Sequence, residues 1–295
     1  MAPMSLFPDP TGAADRLRSR LAEPDVLQAP GCYDALTAKL IESAGHEVAF
    51  LGGFSVAAAR LGLPDVGLLS YGEMLDQTTS VCAATSLPVI ADADTGYGSP
   101  VNAQRTLLAF ARAGAACVMI EDQSWPKRCG HTVGKEVVER REAVARVRAC
   151  VEVRAEHGLD VLIMARTDAA AVDGFDEALR RAEAFAEAGA DLTFLEAPDS
   201  VEQMARYCSE IPGHKTANLV DDGHTPWLEP DALTEIGYSV VFYPVSLLLS
   251  GIRSMGDAAR ALRTNPAAAR ERASFDEARA LVGWQDYDER SDRFT

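Results

Sequence analysis

The sequence predicts an α/β chain folded as a (β/α)8 TIM-type barrel with additional C-terminal helices. Three observations carry this prediction. Eight short apolar runs recur along the 295 residues, and longer amphipathic stretches separate them. Polar and charged residues follow directly on the runs, which suits a barrel that gathers its strand ends on one face. The competing architecture, an open doubly wound sheet, would not bring those ends together.

The runs are Val26–Pro30, Val48–Leu51, Leu87–Ala91, Cys117–Ile120, Val161–Met164, Leu192–Leu195, Thr216–Leu219 and Ser239–Tyr243. Each is short and nearly continuous, as parallel strands covered on both faces require. Between them, Asn102–Gly114 and Phe175–Gly189 have helical spacing and end at glycine, a frequent helix stop. Val137–His157 shows the same spacing, with charges on its remaining face. After the eighth run, Ser254–Arg263 and Ala267–Val282 look helical. The expected organisation is a catalytic barrel with an N-terminal helix over residues 1–250 and a C-terminal helical segment over 251–295, used in assembly.

Composition narrows the function. Hydrophobic residues make up 47% and charged residues 24%, enough for a large core and unlike a disordered chain. The net charge of −16 opposes nucleic-acid and anionic-membrane partners, while leaving room for a local basic pocket. No run approaches the ~20 apolar residues of a membrane span, and the proline-containing start lacks the apolar core of a secretory signal. The six cysteines form no CxxC pair, which reads as reduced thiols of a cytoplasmic protein.

Two segments carry the chemistry. Pro88–Gly98 is a strand opening into Asp92, Asp94 and a glycine turn. Hard divalent cations take oxygen ligands, and Mg²⁺ commonly uses one or two carboxylates plus water. Glu121, after the next strand, can join that shell; the alternative is a capped turn with solvated acids. In Glu121–His131, Lys127, Arg128 and His131 flank Cys129, a setting that favours a thiolate, and Gly130 permits close approach of a ligand. The alternative there is an ordinary exposed loop. Arg166 suits a carboxylate clamp or an ion pair with a neighbouring strand end. Glu196 suits a polar ligand or that arginine, and Asn218 a ligand oxygen or local backbone.

Taken in order, LGLPD at 61–65, ADADTGYG at 91–98, IEDQ with KRCGH at 120–131, ARTDA at 165–169, FLEA at 194–197 and TAN at 216–218 resemble the isocitrate lyase/phosphoenolpyruvate mutase superfamily over about residues 30–250. The resemblance implies a Mg²⁺-dependent barrel, with Mn²⁺ as the substitute, and a homotetramer that exchanges C-terminal helices. It places Asp92, Asp94 and Glu121 at the metal, and Lys127, Cys129, Gly130 and His131 on an active-site lid. Gly52, Gly53, Arg166, Glu196 and Asn218 fall at substrate-binding positions, and Asp65 matches an active-site acid. Cysteine in the lid looks like the carbon–carbon lyase branch; the mutases carry asparagine.

Three departures point to the substrate. Gly52-Gly53-Phe54 stands where methylisocitrate lyases show Ser-Gly-Gly, while Thr132 and Leu249 stand where they show arginine. Fewer cations suit fewer carboxylates. The expectation is therefore cleavage of a substituted 2-hydroxy dicarboxylate to an α-keto acid and a carboxylic acid, with Cys129 and Arg166 catalytic and Asp65 as one candidate base. A carboxyphosphonoenolpyruvate-type mutase, an oxaloacetate-cleaving hydrolase and a catalytically silent metabolite-binding barrel are the alternatives.

Overall fold

The structure, a computed structural model, describes residues 4–130, 132, 134–264 and 272–294. Helix α1 (Ala13–Leu21) precedes the barrel. Next come β1 (Leu27–Cys32), α2 (Ala35–Ser43), β2 (Ala49–Leu51), the single turn α3 (Gly53–Val56), α4 (Tyr71–Cys82), β3 (Val89–Asp92), α5 (Pro100–Arg112) and β4 (Cys117–Glu121). The second half contains α6 (Arg140–His157), β5 (Leu162–Thr167), α7 (Phe175–Glu187), β6 (Leu192–Leu195), α8 (Val201–Glu210), β7 (His214–Asn218), α9 (Pro230–Ile236) and β8 (Val240–Tyr243). Three helices follow: α10 (Ser246–Thr264), α11 (Phe275–Leu281) and α12 (Trp284–Ser291).

The eight strands are all parallel, in sequence order, and closed. Closure joins β1 to β8 with Leu27 opposite Val240 and Pro30 opposite Tyr243. This close approach needs Gly31, because a Cβ there would lie 2.1 Å from the carbonyl oxygen of Pro244. All eight expected strands are present, and the open-sheet alternative is excluded. Among the described residues no helix is long and apolar enough to cross a membrane.

Side chains alternate along each strand, and the alternation sorts the residues. Inward-facing Phe50, Ile90, Met119, Leu162, Met164, Phe194 and Phe242 belong to the barrel core. Outward-facing Ile163, Val118 and Ala91 pack in the shell under the surrounding helices. Helix α1 buries Ala13, Ala14, Leu17 and Leu21 in the same cluster as the barrel core, sealing the end where the strands begin. Helix starts are defined by short polar side chains: Asp34 accepts from Thr37 N at 2.7 Å, and Ser70 and Glu73 cap each other at the start of α4.

The C-terminal segment differs in detail from the expectation. Helix α10 starts at Ser246, encloses the expected 254–263 stretch, and runs unbroken through residue 250. The boundary at 250/251 thus falls inside a helix. The expected helix over 267–282 begins outside the described residues; within 272–294 the chain forms α11 and, beyond Val282, α12.

Candidate active site

The sorting that fills the barrel also builds its mouth. One inward step beyond Phe50, Ile90, Met119, Met164, Phe194, Thr216 and Phe242 stand Gly52, Asp92, Glu121, Arg166, Glu196, Asn218 and Pro244. All seven line one cavity of about 310 Å³ at the carboxyl ends of the strands, where barrel enzymes keep their chemistry. Its floor is aromatic: Phe50 and Phe242 stack with centroids 4.0 Å apart, and Phe194 meets Phe242 edge-on at 5.9 Å. The size suits a small metabolite.

On one side sit the β3 acids. Asp92 accepts hydrogen bonds from Gly53 N and Asp94 N, each at 3.0 Å. Asp94 holds a left-handed φ of 48°, and the turn continues through Gly96 at 82°. A non-glycine residue in that region is costly and marks a constrained site. Lys127 Nζ, buried, lies 2.6 Å from Asp65 and 2.7 Å from Asp94. Burial lowers an ammonium pKa, but Asp94 and Asp65 outweigh it here and hold Lys127 charged. The Lys127 ammonium thus bridges Asp65 and Asp94, and both oxygens of Asp65 lie on it. Asp94 also turns toward Lys127 and is not part of the cavity lining, whereas Asp92 and Glu121 are.

Opposite them, Arg166 Nε and Nη2 bind the two oxygens of Asp168 at 2.8 and 3.0 Å. Nη2 reaches Glu196 at 2.9 Å, Nε lies 3.4 Å from Glu121, and the guanidinium stands 5.1 Å over the Phe194 ring. Asn218 donates its amide to Glu196 at 3.2 Å, and its buried Oδ1 has no hydrogen bond among the described residues. Burial pushes the Glu121 carboxyl well above its usual range, with Arg166 opposing, and raises Asp92, with Asp94 adding to the effect. Asp168 goes the other way: burial would raise it, but Arg166 and Lys135 keep it below its usual value.

The loop after β4 closes the third side. Cys129, half-buried, lines the cavity with Gly130 and Thr132. The other five cysteines are buried; burial pushes Cys82, Cys150 and Cys208 up to about 12, so they stay inert thiols. Gly130 lies against Arg166 and Glu196 so closely that a Cβ would meet Nη2 at 2.4 Å and Oε2 at 2.5 Å. His131, expected beside them, lies outside the described residues. Across from the loop, Leu249 and Val245 from the start of α10 supply an apolar wall. Sequence reasoning missed Lys135, buried between the loop and Asp168; a lone lysine after a glycine carries no pattern that marks it.

Six buried carboxylates (Asp65, Asp92, Asp94, Glu121, Asp168 and Glu196) face three buried cations, Lys127, Lys135 and Arg166. Among the described residues, Glu121 Oε1 accepts no hydrogen bond. A surplus of carboxylates and an unpartnered carboxylate oxygen at the cavity fit a divalent cation. Among the described residues, no three acidic, histidine or cysteine side chains converge to hold an ion directly. Mg²⁺ commonly keeps water and substrate oxygens around one or two carboxylates, a donor set that Asp92 and Glu121 supply at the cavity.

A closed barrel with this mouth defines a small-molecule enzyme of the α/β-barrel class. The family model for phosphoenolpyruvate phosphomutase matches residues 17–263, and the chain belongs to that family. It is similar to the 2,3-dimethylmalate lyase of Eubacterium barkeri, 42% identical over 85% of this chain and 86% of that one. A probable 2-methylisocitrate lyase of Corynebacterium glutamicum is also 42% identical, over 81% of this chain and 77% of the relative. Among solved structures, oxaloacetate acetylhydrolase bound to 3,3-difluorooxalacetate superimposes with a TM-score of 0.92 at 30% identity, covering 96% of this chain and 97% of that one.

Proposed function

We propose that this protein is a carbon–carbon lyase that cleaves a 2-hydroxy dicarboxylate with an apolar substituent, of the dimethylmalate type, into an α-keto acid and a carboxylic acid. The observation that carries the reading is the two-faced cavity: Arg166 and a carboxylate cluster on one side, Cys129 on the lid, and Val245 and Leu249 on the other side. Neither Leu249 nor Thr132 carries a charge to offer a third substrate carboxylate, and a carboxylate left unpaired in the cavity is costly.

Asp92 would hold Mg²⁺ or Mn²⁺, with Asp94 and Glu121 joining it directly or through water. When bound, the cation withdraws electron density from the 2-hydroxyl and its neighbouring carboxylate. Arg166 and Asn218 orient the substrate carboxylates, and the backbone N–H groups of Gly52 and Gly53 lie at the opposite edge. The hydroxyl gives up its proton to a carboxylate of the mouth, its O–H electrons form the keto group, and the carbon–carbon bond breaks toward the departing half. That half is an enolate-like dianion, stabilised by the cations of the mouth. The Cys129 thiol delivers its proton to the carbanionic carbon, and the thiolate is reprotonated as the lid opens. Asp65 acts through Lys127, holding that ammonium in place. The protein works as a soluble cytoplasmic homotetramer, its C-terminal helices exchanged between subunits.

The likeness to oxaloacetate acetylhydrolase favours one second reading, hydrolysis of oxaloacetate in the same mouth. One panel separates them: dimethylmalate, methylisocitrate, oxaloacetate and a phosphonate, each with Mg²⁺, read by product NMR. The expected result is the highest kcat/KM for the dimethylmalate-type diacid. Faster turnover of methylisocitrate or oxaloacetate overturns the substrate assignment.

A further inference from the structure

We infer that Lys135 is a positioning residue: it latches the Cys129–Gly130 backbone onto the barrel and, by the same contact, sets the charge available to Arg166. The inference rests on the reading of Cys129 as a catalytic group of the lid.

The observations concern one buried ammonium. Lys135 follows the cysteine by six positions, yet its side chain is 2% exposed. Nζ donates to the carbonyl oxygen of Gly130 and lies 3.0 Å from Asp168 Oδ1, a carboxylate with no exposed surface. An ammonium shut away from water needs such partners, because an unpaired buried charge is prohibitive. Here one partner is on the loop and the other on the barrel, so the contact is a bridge. Behind the loop lies a second cavity that Lys135, Gly130 and Gly134 line together with Phe175. Lys135 therefore borders an open space on one side and the barrel on the other.

The barrel end of the bridge acts on the substrate side. Asp168 is anchored independently: its N–H donates to Asp122 at 2.9 Å, and Asp122 in turn binds Arg181 and Thr167. Asp168 therefore does not follow the loop; the loop comes to Asp168. Arg166 faces three carboxylates, from Asp168, Glu196 and Glu121. With Lys135 in place, Asp168 is shared between two cations, and more of the Arg166 field is left for a substrate carboxylate. Seating the loop thus does two things together: it delivers Cys129 to the cavity and strengthens the clamp. The close fit of Gly130 against Arg166 and Glu196 makes the seated position well defined.

The test reads loop seating without turnover. In Lys135→Met, the rate of Cys129 alkylation by iodoacetamide, followed by peptide mass spectrometry, is expected to rise at least about tenfold, the low end for losing a charge-assisted hydrogen bond. The melting curve reports that the barrel persists, and the buried cysteines serve as internal controls. In steady state, kcat falls and KM for the diacid rises, whereas Lys135→Arg restores part of both. Should Lys135→Met fail to fold, Lys135→Gln is read the same way. An unchanged alkylation rate in a folded variant overturns the latch. If wild type turns over no diacid, the proposed function fails, but the alkylation comparison still decides the latch.

Discussion

The two ends of this barrel are built from the same strands and share almost nothing else. At the end where the strands begin, Leu17 and Leu21 of α1 close over Met119, Met164 and Leu192, and the packing is apolar throughout. At the other end, one inward step further along the strands, Asp92, Glu121, Arg166 and Glu196 join Asp65 and Lys127 around a cavity of about 310 Å³, and all six side chains are buried. The first arrangement holds the barrel closed; the second is a charge imbalance that the first must support. Strain and like-charge crowding at the mouth, including the left-handed Asp94, are tolerated because the closed end and the helix shell fix the strand ends. Substitutions should therefore separate cleanly into those that remove chemistry and those that remove stability.

The largest expected effect belongs to the mouth. Cys129→Ser should lower kcat by roughly 10²–10⁴-fold, the usual contribution of a well-placed acid, with diacid binding by calorimetry and the melting temperature retained. Asp92→Ala should abolish Mg²⁺-dependent turnover with the fold intact. Near wild-type kcat in either variant breaks the division. At the closed end, Leu17→Ala should cost about 2–5 kcal/mol by chemical denaturation, as large-to-small core changes do, while kcat/KM of the folded enzyme stays the same. A loss of activity without loss of stability there would show that the ends are not independent.

Two smaller effects sharpen the picture. Leu249→Arg should raise the kcat/KM ratio of methylisocitrate to dimethylmalate by about tenfold, the worth of one charge-assisted hydrogen bond; an unchanged ratio removes Leu249 from substrate choice. The smallest lies on the outer shell, where Glu177 bonds Arg140, Arg180 and Arg181. These bonds, Arg140 foremost, hold its carboxyl at about 2 instead of the usual 4.5, against a modest opposing burial effect. A depressed carboxylate stabilises the fold above its unfolded pKa, and that stability disappears as pH falls from about 4.5 toward 2. Glu177→Gln should therefore cost of order 1 kcal/mol or less at pH 6, the range of solvent-screened pairs, and almost nothing near pH 2. Equal melting differences at both pH values would contradict it.

The fold was largely legible because buried parallel strands are short apolar runs and all eight stand out. The less legible parts have physical causes. Strand β7 begins at His214 and Lys215, polar residues that a hydrophobic pattern passes over. The start of α10 was hidden because Ser246–Gly251 packs on the cavity with one face and lacks an exposed charged face to set the period. The strand-end residues Asp92, Glu121, Arg166, Glu196 and Asn218 line one cavity, since alternation along each strand puts them on the inner face. Their pairings were not legible. That Lys127 turns to Asp65 and Asp94, and that Lys135 reaches Asp168, depends on loop paths between residues distant in sequence.

The packed Phe50, Phe242 and Phe194 rings have a consequence for how substrates are told apart. They form a rigid stop beneath the cavity, so a longer molecule cannot be accommodated by sinking deeper. Discrimination by length is settled from below, once, for every ligand. What remains adjustable is breadth, and that is set at the rim by the first turn of α10 and the chain around Val220. Relatives that keep the stop and vary the rim would accept acids of similar reach and different girth, changing substrate without disturbing the frame that holds the reacting groups.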